Sequence, residues 1–78
     1  MIYRFTSPTC IPCKAMKPIL DRAIAEGYHI ETSDITETNL YEEYGVTSVP
    51  TFIRTENGHE VNRHVGAMTY NELIDFCS

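Results

Sequence analysis

Positive charge is scarce in this chain. Six lysines and arginines stand against eleven acids, a net charge of −5 with histidine neutral. A surface this acidic repels a phosphate backbone, so nucleic acid is not an expected partner. Long apolar runs are missing as well. The opening MIYRFTSP holds no stretch long enough for a secretory leader or a membrane span, so no membrane association is expected. Cysteine is sparse and odd in number, with Cys10, Cys13 and Cys77. An odd count argues against a framework of structural disulfides. It suits a cytoplasmic protein, where thiols stay reduced and a close cysteine pair serves catalysis or metal binding. Repeats, linkers and low-complexity segments are also absent. A chain of 78 residues is read as one domain, residues 1–78, with a thin core, and a monomer is expected.

The few cations are unevenly spread. Residues 1–22 carry Arg4, Lys14, Lys17 and Arg22 against Asp21 alone, net +3. Residues 23–78 carry Arg54 and Arg63 against ten acids, net −8. The positive share surrounds the run Pro8-Thr9-Cys10-Ile11-Pro12-Cys13-Lys14.

Hydrophobic spacing predicts a short strand over Met1–Thr6, ended by Ser7-Pro8. A helix follows from Ile11 to about Glu26, because Met16, Ile19, Leu20, Ala23 and Ile24 recur at three- and four-residue steps. Pro12 suits its first turn, Pro18 should kink it, and Gly27 should stop it. Tyr28–Ile35 reads as a second strand, with Tyr28, Ile30 and Thr32 alternating against His29, Glu31 and Ser33. A short helix is expected over Thr38–Tyr44, closed by Gly45. Thr51–Thr55 and His59–Val65 read as strands joined by the turn Asn57-Gly58, where both residues tolerate positive φ. Thr69 and Glu72 match a capping box opening a last helix through Leu73, Ile74, Phe76 and Cys77. The order β-α-β-α-β-β-α predicts an α/β fold. Its first two strands should be parallel with a right-handed crossover, its last two a hairpin, and the mixed four-stranded sheet flanked by helices.

The spacing of Cys10 and Cys13 leaves three readings: a structural staple, half of a zinc site, or a working dithiol. A three-residue loop closes little chain entropy, so a staple stabilises little. Zinc needs four ligands. Beyond the pair only His29, His59, His64 and Cys77 are available, with no second close pair among them. The dithiol reading fits best. Residues three apart at a helix start share a face and approach within the ~4.4–6.8 Å that a disulfide spans. Free backbone N–H groups and the helix dipole point at the Cys10 sulfur. Lys14 and Lys17 add positive charge within a turn. Such surroundings lower a thiol from about 8.5 to somewhere near 3.5–7.5. Cys10 is then the attacking thiolate, and Cys13, one turn deeper, resolves the mixed disulfide.

The run from Cys10 to Asp21 resembles the active-site helix of thioredoxins, including the lysine after the second cysteine and the proline five residues past it. Tyr44-Gly45-Val46-Thr47-Ser48-Val49-Pro50-Thr51-Phe52 is similar to the thioredoxin segment that ends in a cis-proline opposite the dithiol. Asn57-Gly58-His59-Glu60-Val61 and Val65-Gly66-Ala67-Met68-Thr69 resemble that family's hairpin and the glycine loop after it. These matches fall in the family's order over nearly the whole chain, without the extra N-terminal strand and helix of full-length thioredoxins. There are departures. Thr9 stands where thioredoxins carry tryptophan, Ile11 where they carry glycine, and Arg4 where they carry a buried acid. The opening Ile2-Tyr3 and Ser7-Pro8-Thr9-Cys10 lie closer to glutaredoxins.

The resemblance implies a thiol–disulfide oxidoreductase with no bound cofactor, its redox group being the Cys10–Cys13 disulfide. It implies that Thr9, Ile11, Pro12, Val49, Pro50 and Gly66 meet the substrate, with the Val49–Pro50 bond cis so that Val49 pairs with an extended chain. Expected partners are protein disulfides, with that of ribonucleotide reductase a candidate. Thioredoxin reductase or glutathione would supply electrons. The alternatives are a glutathione-dependent glutaredoxin and a non-catalytic zinc-binding or interaction module. Glutaredoxins carry a Gly-Gly and an acidic pair at the last helix, where this chain offers Gly66 alone. Tyr44, Ile11 and Met68 are placed near the dithiol by the same likeness. Cys77 reads as a packing residue, the histidines as solvent-facing, and Glu42, Glu43, Glu56 and Glu60 as a solvated face.

Overall fold

The computed structural model describes all 78 residues. Its elements are β1 (Ile2–Thr6), α1 (Ile11–Ala15), α2 (Lys17–Ala25), β2 (Ile30–Asp34), α3 (Leu40–Glu43), β3 (Thr51–Glu56), β4 (His59–Val65) and α4 (Tyr70–Cys77). The strands form one sheet in the order β2-β1-β3-β4. β1 and β2 run parallel, while β3 is antiparallel to both β1 and β4. The predicted α/β architecture and mixed sheet are therefore present.

Alternation along the strands divides the apolar residues between the sheet's two faces. One face carries Ile2, Ile30 and Phe52, which pack with Met16, Leu20 and Ala23 of the first helical region, and with Met68, Leu73 and Phe76. The other carries Phe5 and Ile53, packed with Val46, Tyr3, Leu40, Tyr41 and Tyr44 around α3. The dithiol helix and α4 thus share the larger core, and α3 covers the smaller one.

Local signals explain the boundaries. Asn57 and Gly58 have φ of 54° and 81°, both in the left-handed region that a tight hairpin between β3 and β4 requires. The capping box is complete: Thr69 Oγ1 accepts from Glu72 N–H at 3.2 Å, and Thr69 N–H donates to Glu72 Oε1 at 3.0 Å. The Thr69 backbone N–H, then its side chain, holds the Glu72 carboxyl below the usual range. That contribution to stability is complete above the unfolded carboxylate's pKa and is lost as pH falls through the depressed folded value. Thr69→Ala should cost about 1 kcal/mol, seen as a lower urea midpoint with an unchanged slope.

Three expectations need correction. The single helix kinked at Pro18 is two helices broken at Met16, with Pro18 in the first turn of α2. A proline there would clash with the carbonyl four residues back, and ending α1 early avoids the clash. The second strand is shorter than Tyr28–Ile35, and Ser33 is buried while Thr32 is exposed. The Ser33 hydroxyl meets Thr38 Oγ1 at 2.9 Å, which satisfies it there. The helix expected over Thr38–Tyr44 is only Leu40–Glu43, because Thr38 belongs to the preceding turn, its N–H donating to the Asp34 carbonyl at 3.1 Å.

Candidate active site

After β1 the chain turns back on itself, with Cys10 N–H donating to the Ser7 carbonyl at 3.2 Å. Cys10 is the N-cap of α1, in extended conformation at φ −82° and ψ 105°. Its sulfur does what a capping oxygen does elsewhere: Sγ accepts the Cys13 backbone N–H at 3.1 Å. Pro12, in the first turn, has no N–H to leave unpaired. Cys10 and Cys13 are joined by a disulfide, their Cα atoms 5.2 Å apart. Once that bond is reduced, an N–H aimed at Cys10 Sγ favours a thiolate there.

The two sulfurs are not equivalent. Cys10 is 8% exposed and Cys13 2%. Around Cys10, Thr9, Ile11 and Pro12 are exposed, Ile11 at 77%. They form an uncharged surface beside the outer sulfur.

The segment carrying Val49 and Pro50 precedes β3, and its Val49–Pro50 peptide bond is cis, as the resemblance implied. Val49 is half-buried and Pro50 buried. The Pro50 carbonyl accepts the Gly66 N–H at 2.9 Å. Gly66 sits at φ 105°, where a side chain would be strained. Two residues on, Met68 N–H donates to Met16 Sδ at 3.4 Å. Met16 is the joint between α1 and α2, so the glycine loop is tied to the dithiol helix as well as to Pro50.

A cavity of about 300 Å³ reaches Cys13 from the sheet side, lined by Arg4, Thr6, Lys14, Lys17, Asp21 and Thr32 among others. Lys14 and Lys17 therefore gather on the Cys13 side of the pair. Lys17 is mostly exposed and bound to Asp21 Oδ2 at 2.7 Å. Arg4 is the residue whose place the sequence left without a role. Its Nε and Nη2 donate to Thr32 Oγ1 at 3.3 and 3.0 Å. The grouping of Arg4, Thr32 and Asp21 with Cys13 has no local sequence signal, because strand pairing creates it.

Other candidates fall elsewhere. Tyr44 belongs to the smaller core, its ring 5.7 Å from Tyr3 and 6.1 Å from Phe5, and burial pushes its hydroxyl pKa up. Its carbonyl accepts from the Arg63 guanidinium. That places the tyrosine in the packing of the smaller core, in the same cluster as Val49. Met68 is buried and Ile11 exposed. Cys77 is half-buried against the larger core, and burial raises its thiol pKa. His29 and His59 are exposed, but His64 is half-buried. No three His, Cys, Asp or Glu side chains converge to hold a metal ion. The proposed zinc alternative therefore has no ready ligand set.

Comparison with known proteins agrees with this geometry. The family model described as Thioredoxin matches residues 1–78. The chain is 34% identical over 77 residues to a thioredoxin of Chlamydia trachomatis, covering 95% of this chain and 76% of that protein. It is 36% identical over 76 residues to a thioredoxin of Chlamydia caviae, covering 90% and 72%. Among solved structures, thioredoxin NaTrxh from Nicotiana alata superposes with a TM-score of 0.84 at 32% identity, covering 96% of this chain and 67% of that one. A buried, helix-capping cysteine pair on this sheet, together with these likenesses, makes the chain a member of the thioredoxin family and a thiol–disulfide oxidoreductase.

Proposed function

We infer that the chain is a small dithiol electron donor in which Cys10 attacks and Cys13 resolves. The observation that carries this is the Cys13 N–H held 3.1 Å from Cys10 Sγ, in the more exposed of the two bonded cysteines. The Cys10 thiolate displaces one sulfur of a protein disulfide, forming a mixed disulfide and releasing the first substrate thiolate. Cys13 then attacks Cys10, the second substrate sulfur leaves as thiolate, and the Cys10–Cys13 bond forms. Two electrons pass from the pair to the substrate.

Thr9, Ile11, Pro12, Val49, Pro50 and Gly66 form the surface that receives the substrate. The exposure of the first three and the Pro50–Gly66 hydrogen bond support this reading. An extended chain pairing with the Val49 backbone would be held strand-fashion, largely without regard to sequence. Lys14 and Lys17 favour thiolate at the pair, weakly, since both are exposed to screening water. The protein works as a monomer in the reducing cytoplasm. The disulfide of ribonucleotide reductase is one fitting substrate, and thioredoxin reductase or glutathione recharges the pair.

Insulin reduction tests the activity. Added to insulin and dithiothreitol, the chain should accelerate precipitation of the freed B chain at micromolar concentration. No acceleration, or stoichiometric zinc in protein purified under reducing conditions, would overturn the reading. A hydroxyethyl-disulfide assay coupled to glutathione, run beside one coupled to thioredoxin reductase, assigns the electron source.

A further inference from the structure

Cys13 is the deeper sulfur, and burial by itself raises a thiol's proton affinity. A resolving step needs Cys13 as thiolate, so some other feature must oppose burial. The groups facing it across the cavity are Arg4 and Thr6 from β1, Lys14 from α1, Lys17 and Asp21 from α2, and Thr32 from β2. Asp21 is the acid among them, and Lys17 holds its carboxylate at 2.7 Å. Lys14 and Lys17 extend into solvent, where water screens their charge. Arg4 differs from both. It is half-buried, and the acceptor its guanidinium meets is the neutral Thr32 hydroxyl, which cancels no charge. Burial lowers its pKa and Asp21 raises it again, but a guanidinium stays protonated throughout. A charge in this less screened setting acts further than one on the surface.

We propose that Arg4 is a positioning residue for the resolving step, its half-buried guanidinium, fixed by Thr32, favouring the Cys13 thiolate across the shared cavity. Arg4 takes no proton. The Cys13 proton passes to cavity water, the thiolate attacks Cys10 Sγ, and the Cys10–substrate bond breaks with its electron pair leaving on the substrate sulfur. The inference rests on the dithiol reading, but its measurement does not need turnover.

The test follows Cys13 alone in the Cys10→Ser protein. The pH dependence of its alkylation by iodoacetamide is read by peptide mass spectrometry, which separates Cys13 from Cys77. Cys13 should titrate below the ~8.5 of a free cysteine despite its burial. Arg4→Gln keeps a donor for Thr32 and removes the charge, so it should raise the Cys13 pKa by about one unit, a tenfold loss of thiolate at neutral pH. Arg4→Lys should restore it. A Cys13 pKa above that of free cysteine with Arg4 intact, no change in Arg4→Gln, or failure of Arg4→Lys to rescue would each overturn the proposal. The first arm needs no change at Arg4, so it decides even if Arg4→Gln does not fold. Loss of insulin reduction in the unsubstituted chain would instead indict the dithiol reading.

Discussion

Cys10→Ser should reduce insulin at least about a thousandfold more slowly than the unsubstituted chain, to the rate of dithiothreitol alone. The reason is chemical. A serine hydroxyl can accept the Cys13 N–H as a capping oxygen would, so helix and fold survive, but it is not ionised at neutral pH and cannot open a disulfide. Cys13→Ser should fail differently. Cys10 still captures its target but nothing displaces it, so a one-to-one mixed disulfide accumulates. Mass spectrometry should find that adduct on Cys10, and dithiothreitol should remove it. Near-normal turnover by Cys10→Ser, or an adduct that forms on Cys13 when both are present, would reverse the roles assigned to the two sulfurs.

Phe52→Ala should come close to unfolding the protein. Phe52 is fully buried at the centre of the larger core, with its ring 6.5 Å from that of Phe76 in an edge-on arrangement of 68°. Truncating a buried phenylalanine costs about 3–5 kcal/mol, through lost transfer energy and the void left behind. A domain of this length has only about 4–12 kcal/mol in total. The variant should therefore melt tens of degrees lower or be unfolded at 37 °C by circular dichroism. Phe52→Leu, which keeps most of the volume, should cost under about 1.5 kcal/mol. A Phe52→Ala protein within about 1 kcal/mol of the parent would mean that the core does not depend on this ring. Activity should fall with the folded fraction in both variants, because Phe52 supports the same core as Met16 at the end of the dithiol helix.

Features specified by neighbouring residues were legible in the sequence. Asn57-Gly58 fixed the hairpin, Thr69 and Glu72 fixed the start of α4, and the cysteine pair at a helix start, with no second close pair of zinc ligands in the chain, favoured the dithiol over a staple or a zinc site. The break at Met16 was displaced from Pro18 because the proline acts on the turn before it, a context that apolar periodicity does not encode. Ser33 looked like the solvent side of a strand, and only its hydroxyl partner Thr38 explains its burial. The Cys13 cavity was illegible for a different reason. Arg4 meets Thr32 across 28 positions of sequence through parallel pairing of β1 with β2, a juxtaposition that emerges only once the sheet exists. The likeness to a family supplied Pro50 and Gly66, which no local rule would have singled out.

The Met16–Met68 contact has a bearing on durability. A molecule whose trade is electrons meets oxidants repeatedly, and thioethers are easily turned into polar sulfoxides. Both methionines that brace this site are almost sealed, at 1% and 4% exposure. Of the sulfur-bearing residues at this site, Cys10, at 8% exposure, meets solvent most, so an oxidant reaches the attacking thiol before the thioethers that brace it, and the damage falls first on the group that reduction restores.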